Sequence, residues 1–200
     1  MTPARIILLF VKPPIPGRVK TRLAKDIGDQ AACDTYRSFV SHTITEAVAG
    51  AIPLVVCHDG KQDELPEIWR TPAWRCMPQV EADLGKRMAE AFRTLFADGA
   101  AQVVLMGSDI PDLDATYLRA AFDRLGTHNL VIGPAMDGGY CLVGFNKEHF
   151  TPALFEDIPW STDRVLELTL RNAATAGLST ALLAPRRDID TWEDLRKRFP

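Results

Sequence analysis

The sequence predicts an α/β protein: a mostly parallel β-sheet flanked by helices. Two observations carry that expectation. Strand-length apolar runs alternate with stretches of helical periodicity along the whole chain, the pattern of a parallel sheet whose connections are helices. Several runs are also apolar at nearly every position, as strands covered on both faces are, instead of alternating apolar and polar. The composition, 46% hydrophobic and 24% charged over 200 residues, suits a folded chain with room for one full core. No repeat, low-complexity tract or linker interrupts it, so residues 1–200 are expected to form a single domain.

In chain order, Ile6 to Val11 is the first strand. Gly28-Asp29 opens a helix on which Ala32, Tyr36, Phe39, Val40 and Ile44 recur at three- and four-residue steps. Ile52 to Cys57 reads as the second strand. Asp59 to Pro78 is mixed and contains three prolines, leaving a short helix near Glu64 to Arg70 and a short strand after it. Asp83 is placed to cap a helix striped by Leu84, Met88, Phe92, Leu95 and Phe96. Gln102 to Met106 is another buried strand, and Asp114 caps a helix carrying Leu118, Ala121, Phe122 and Leu125. Leu130 to Ile132 and Tyr140 to Phe145 are strands around a glycine-rich turn. Ser161 is expected to cap a helix that stops at Gly177, and Ser179 to Leu183 is a late strand. Thr191 with Asp194 resembles a capping box for a terminal helix.

A net charge of -3 and a pI near 5.8 argue against nucleic-acid or anionic-membrane partners, so any basic site must be local. The apolar run Ile6 to Val11 is too short to span a membrane, and no signal-peptide cleavage pattern follows it. The protein is therefore expected to be cytoplasmic. Cys33, Cys57, Cys76 and Cys141 form no CxxC pair, and the four histidines show no HExxH spacing. Neither a zinc site nor a redox motif is expected.

In open α/β sheets ligands gather beyond the carboxyl ends of the strands. Directly after the first strand, Lys12, Arg18, Lys20 and Arg22 place four cations in eleven residues of an acidic chain. Three prolines and Gly17 stiffen and turn this loop, which lowers the entropy lost on closing over a ligand. Arg offers phosphate a fork of donors and Lys a point charge, so a di- or triphosphate suits the set. Neither GxxxxGK[ST] nor GxGxxG is present, which removes the P-loop and dinucleotide readings. Gly107-Ser108-Asp109-Ile110-Pro111 follows a later strand, where the Asp109 carboxylate could hold Mg²⁺ or Mn²⁺ against phosphate oxygens. A plain turn is the alternative for Asp109. Asp137-Gly138-Gly139 suits a hairpin turn, or a site where Asp137 orients an acceptor hydroxyl or takes its proton. Asp188 and Asp190 share one face if extended and could supply a second metal ligand, with Asp190 taken first and Asp188 as the alternative, unless Asp190 only begins the last helix.

Across nearly the whole chain the motifs KPPIPGRVKTRL, DLGKRM, GSDIPDL, GPAMDGGYCLVG, DIPWST and DIDTWEDL resemble a family of bacterial GT-A-type proteins described as glycosyltransferases, some linked to arsenosugar biosynthesis. The loop with Lys12, Lys20, Thr21 and Arg22 is also similar to that of phospholactate guanylyltransferases, where it holds the triphosphate. The resemblance implies a single GT-A-like nucleotide-diphospho-sugar transferase domain, Ser108 beside the phosphates and Asp109 as metal ligand. Many GT-A enzymes carry Asp-x-Asp where this chain has Ser108-Asp109, with one carboxylate. The leading expectation is metal-dependent transfer from a nucleotide-sugar to a small-molecule acceptor. Nucleotidyl transfer with release of pyrophosphate is the alternative, and a nucleotide-sensing module without turnover is a third. Oligomeric state is not legible in the sequence.

Overall fold

Ile7, Leu8 and Leu9 are all fully buried, so the strand they form, β1 (Arg5–Val11), must be covered on both faces and flanked on both edges. The computed structural model describes residues 4–199. After β1 come α1 (Thr21–Ile27), α2 (Asp29–Ala49), β2 (Leu54–His58), β3 (Arg75–Pro78), α3 (Leu84–Ala97), β4 (Gln102–Met106), α4 (Ala115–Leu125), β5 (Leu130–Pro134), β6 (Tyr140–Asn146), α5 (Val165–Thr175), β7 (Thr180–Leu182) and α6 (Trp192–Arg198).

The strands form one seven-stranded sheet in the order β3-β2-β1-β4-β6-β5-β7. Every pairing is parallel except those of β6, which runs antiparallel to both β4 and β5. The chain builds outward from β1 through β2 to β3, then returns to place β4 on the other side of β1. This makes the β1/β4 junction a topological switch point, where the connections leave in opposite directions and open a crevice. Because β6 is reversed, its first residue, Tyr140, lies at the same sheet edge as the last residues of β1 and β4.

The pleat sends Ile7, Leu9 and Val11 to one face, where they meet Tyr36, Val40 and Ile44 of α2 and Leu118 and Phe122 of α4. Leu8 points the other way, to Met88, Phe92 and Leu95 of α3. The helix starts follow local chemistry. Asp83 accepts from the backbone N–H of Lys86 at 3.0 Å and Asp114 from that of Tyr117 at 2.7 Å, each satisfying an otherwise unpaired donor of the first turn. Thr191 and Asp194 make both bonds of the capping box. No described helix is long and apolar enough to cross a membrane.

Three segments depart from expectation. The end of the basic loop is itself a helix, α1, entered through Lys20 in a left-handed conformation (φ 48°). The stretch near Glu64 to Arg70 is two 3₁₀ turns, Gln62–Glu64 and Glu67–Trp69, pinned by the buried Trp69. Ser161 does not cap α5: its φ is 66°, and the helix begins only at Val165. The carbonyl of Gly138, distant in sequence, accepts the backbone N–H of Leu166 at 2.9 Å and satisfies the first turn instead.

That contact requires Gly138. Its φ is +90°, and a Cβ there would lie 2.2 Å from the Asp163 carbonyl oxygen. Gly138→Ala should therefore lower unfolding free energy by about 2–3 kcal/mol in thermal or urea denaturation. Gly139→Ala, whose Cβ would meet only the flexible Asp137 side chain at 3.2 Å, should cost clearly less. Equal losses would mean that the 135–139 turn is not clamped against the segment before α5.

Candidate functional site

At the switch point, one α2 side chain ties the two strand ends together. The Tyr36 hydroxyl accepts the backbone N–H of Lys12 at 2.8 Å and lies 3.2 Å from Ser108 Oγ. Burial, and then the nearby Asp109 charge, push the Tyr36 pKa upward, so the hydroxyl stays protonated. From the other end of the loop, Lys20 turns inward with only 3% of its side chain exposed. Its ammonium lies 3.3 Å from Asp109 Oδ2 and 2.9 Å from Asp190 Oδ1. Arg22, two residues on, points outward with 66% exposure and binds Asp190 Oδ2 from solvent at 3.3 Å. Loop 12–22, the 107–110 turn and the 188–190 segment thus meet at one buried positive charge.

The carboxylates are unevenly compensated. Asp188 has its pKa raised to about 7, first by burial and then by Asp137, Asp190 and Asp109, with Lys20 acting against them. One of its oxygens, Oδ1, is buried without a hydrogen-bond partner. Asp137 is exposed, and its Oδ1 accepts the Gly139 N–H at 2.9 Å, so the turn role anticipated for it is present. The other oxygen forms no hydrogen bond within the described residues. Among these residues, no group of three or more His, Cys, Asp or Glu side chains is preassembled as a metal site.

A cavity of about 820 Å³ runs across this edge of the sheet. Lys12, Arg18, Lys20 and Thr21 line it from the basic loop, Ser108 and Asp109 from the β4 end. Asp137, Asp188 and Asp190 line it from the later segments, while Arg22 stays outside. Four further residues shape it, for which sequence reasoning assigned no role. Arg87 forms an ion pair with Asp59 at 3.1 Å at the β2/β3 end. Trp160 stands edge-on to Tyr140, ring centroids 6.4 Å apart, at the β6 end. Trp160 reaches that position by lying over Gly85, where a Cβ would come within 3.0 Å of the indole. Arg87 and Trp160 fall within the DLGKRM and DIPWST motifs, which was the available signal. For Tyr36, whose helical spacing marked it as core, there was none.

The cavity divides by charge. Its cations are Lys12 and Arg18 from the loop after β1, Arg87 from α3, paired with Asp59 after β2, and Lys20 at the centre between Asp109 and Asp190. Among the described residues lining the β6 side, including Asp137, Tyr140, Trp160 and Thr162, none is Lys, Arg or His.

Comparison with known proteins agrees with this architecture. A crystal structure from Desulfovibrio desulfuricans G20, of a protein provisionally assigned as a nucleotide-diphospho-sugar transferase, is 37% identical with a TM-score of 0.93, covering 99% of this chain and 87% of that one. A CMP:2-keto-3-deoxy-manno-octonic acid synthetase bound to CTP superposes with a TM-score of 0.61 at 11% identity, over 97% of this chain and 96% of that one. The Mycobacterium tuberculosis H37Rv protein Rv0371c in complex with manganese does so at 0.56 and 18%, over 98% and 97% of the two chains. At such identities these last two establish shared fold alone. No curated protein sequence matches the chain. Residues 43–162 match the family described as "Uncharacterized protein conserved in bacteria (DUF2064)". With that match and a 37% identical structure over almost its full length, the chain belongs to the DUF2064 family and has the nucleotide-diphospho-sugar transferase fold.

Proposed function

We propose that this protein, acting over residues 1–200 as one unit, transfers a sugar from a nucleotide-sugar to a hydroxyl of a small-molecule acceptor with the help of Mg²⁺ or Mn²⁺. The observation that carries this reading is the division of charge across one cavity at the switch point. Lys12 and Arg18 face it from the loop after β1 and suit the diphosphate of the donor. The opposite half, with Asp137 and no lining cation, suits an uncharged hydroxyl nucleophile. Transfer of a nucleotidyl group to a phosphorylated acceptor would place a phosphate beside Asp137, whose like charge opposes it.

The carboxylates fit a divalent ion: Asp188 has an unpartnered buried oxygen, and its charged form, opposed by burial and by Asp137, Asp190 and Asp109, is one that a bound cation would favour. In this reading Asp109 and Asp188 hold the ion, and the donor phosphates complete its shell. Of the two ligands the sequence offered, Asp188 is preferred here, because Asp190 already pairs with Lys20 and Arg22. When bound, the ion stabilises charge developing on the leaving nucleoside diphosphate. Asp137 lies on the acceptor side, where its free oxygen can take the proton of the attacking hydroxyl. Ser108, held by Tyr36, orients the Asp109 turn beside the phosphates.

A thermal-shift screen of nucleotide-sugars and nucleoside triphosphates, with and without Mn²⁺, tests the reading. Nucleotide-sugars should stabilise the protein most, by about 2.7 kcal/mol at 100 times Kd, and only with metal. Preference for a triphosphate, with pyrophosphate released on adding sugar phosphates, would favour nucleotidyl transfer.

Replacing Lys12 or Arg18 by Ala should each weaken nucleoside diphosphate binding by about 1.5–3 kcal/mol in calorimetry. Arg22→Ala, acting only through Asp190, should weaken it less; the reverse ranking would move the phosphates outside the cavity. Asp137→Asn should keep the turn and the nucleotide affinity but lower kcat, and normal turnover would reduce Asp137 to a turn residue.

The raised pKa of Asp188 predicts a pH effect in metal-free protein. The folded state holds this proton up to about pH 7, whereas the unfolded chain releases it near the ordinary Asp value of 3.8. Stability from this group is therefore present below that value and is lost as pH rises through about 7. Asp188→Asn should match wild type at pH 4 and be more stable at pH 8, by about 2 kcal/mol after discounting for partial solvation. A pH-independent difference would show that Asp188 titrates normally.

A further inference from the structure

Lys20 was expected to bind phosphate, yet its ammonium is committed elsewhere. It lies between Asp109 and Asp190, within 3.3 and 2.9 Å, and is almost wholly excluded from solvent. Its left-handed backbone (φ 48°), a conformation costly for a residue with a Cβ, aims it there. One monovalent charge therefore already occupies Asp109, a carboxylate that the proposed metal site would use. A divalent ion cannot share those oxygens with an ammonium at such distances without strong repulsion.

We infer that Lys20 is a built-in stand-in for the divalent ion, so that the site excludes free metal and admits it only as a chelate with the nucleotide's phosphates. The diphosphate supplies the two negative charges that draw the Lys20 ammonium off Asp109, and the ion takes the released carboxylate oxygens. Lys20 then meets a phosphate oxygen, its role in the bound state. Lys12 and Arg18 cannot substitute for it, because both are exposed and neither forms an ion pair with a carboxylate among the described residues. No covalent step is involved; the exchange is one ion pair for another. This inference rests on the metal-dependent reading above and extends it to the form in which metal enters.

The consequence runs opposite to that of an ordinary metal-site residue. Removing Lys20 should strengthen binding of metal alone while weakening binding of nucleotide. Calorimetry or electron paramagnetic resonance with Mn²⁺, on full-length protein without nucleotide, should show Lys20→Met binding Mn²⁺ roughly tenfold or more tightly than wild type. Lys20→Arg, which keeps the charge, should stay near wild type. Nucleoside diphosphate should raise Mn²⁺ affinity in wild type by far more than in Lys20→Met. A measurement on wild type guards against a variant that does not fold. In lysine side-chain NMR, Mg²⁺ alone should leave the Lys20 Cε signal unmoved, and Mg²⁺ with nucleoside diphosphate should shift it. Lys20→Met binding Mn²⁺ no better than wild type, or a Lys20 signal that moves with Mg²⁺ alone, overturns the inference and leaves the proposed function standing. Absence of Mn²⁺ binding in every variant, with nucleotide or without, overturns the metal-dependent reading and this inference with it.

Discussion

The site depends on one buried charge. Taking an ammonium out of water costs several kcal/mol unless carboxylates receive it, and Lys20 has only 3% of its side chain exposed. The compensation comes from Asp109 and Asp190, 89 and 170 residues away along the chain. A loop, a strand end and a late segment are therefore held together by the same requirement. The requirement also accounts for the backbone: the left-handed Lys20 turns inward, and the next residue, Thr21, starts α1. Arg22 then emerges on the solvent side and closes the pair from outside.

Sheet order decides what stands on either side of that charge. Placing β4 beside β1 after β2 and β3 have been laid down puts Asp109 next to the basic loop at the switch point. The Asp137 turn follows the end of β5, which runs with β1 and β4, and reversing β6 keeps Tyr140 at the same edge, where a parallel strand would have carried it to the far end of the sheet. The cavity consequently has one wing that receives Lys12 and Arg18 from the loop after β1 and a second lined by Asp137, Tyr140 and Trp160, with Lys20 between Asp109 and Asp190. The clamp of Gly138 against Asp163 joins that second wing to the segment carrying Trp160.

The fold by itself leaves the reaction open, since the same architecture superposes on a synthetase bound to CTP at 11% identity. In the proposed reading, what separates sugar transfer from nucleotidyl transfer is the electrostatics of the half of the cavity assigned to the acceptor. A phosphate nucleophile needs cations there, whereas a hydroxyl needs a base and an apolar wall against which a ring can lie.

Local chemistry in the sequence determined much of this protein. The strand Gln102–Met106, the caps at Asp83 and Asp114 and the Thr191–Asp194 box follow from residue type and near neighbours, and the structure places them as read. The cation-rich loop after β1 and the carboxylate after β4 were legible for the same reason: each is a short segment with its chemistry in consecutive residues. Tertiary structure alone decided the rest. Lys20 and Arg22 carry the same charge in the same loop, and only their long-range partners distinguish the buried one from the exposed one. Asp188 and Asp190 look equivalent in sequence, yet one has an unpartnered buried oxygen and the other two cations. Ser161 has the residue type of a helix cap, but the Gly138 carbonyl occupies that role from another part of the chain. In each case the outcome turns on which distant group satisfies a buried charge or backbone N–H, and sequence spacing carries no information about that pairing.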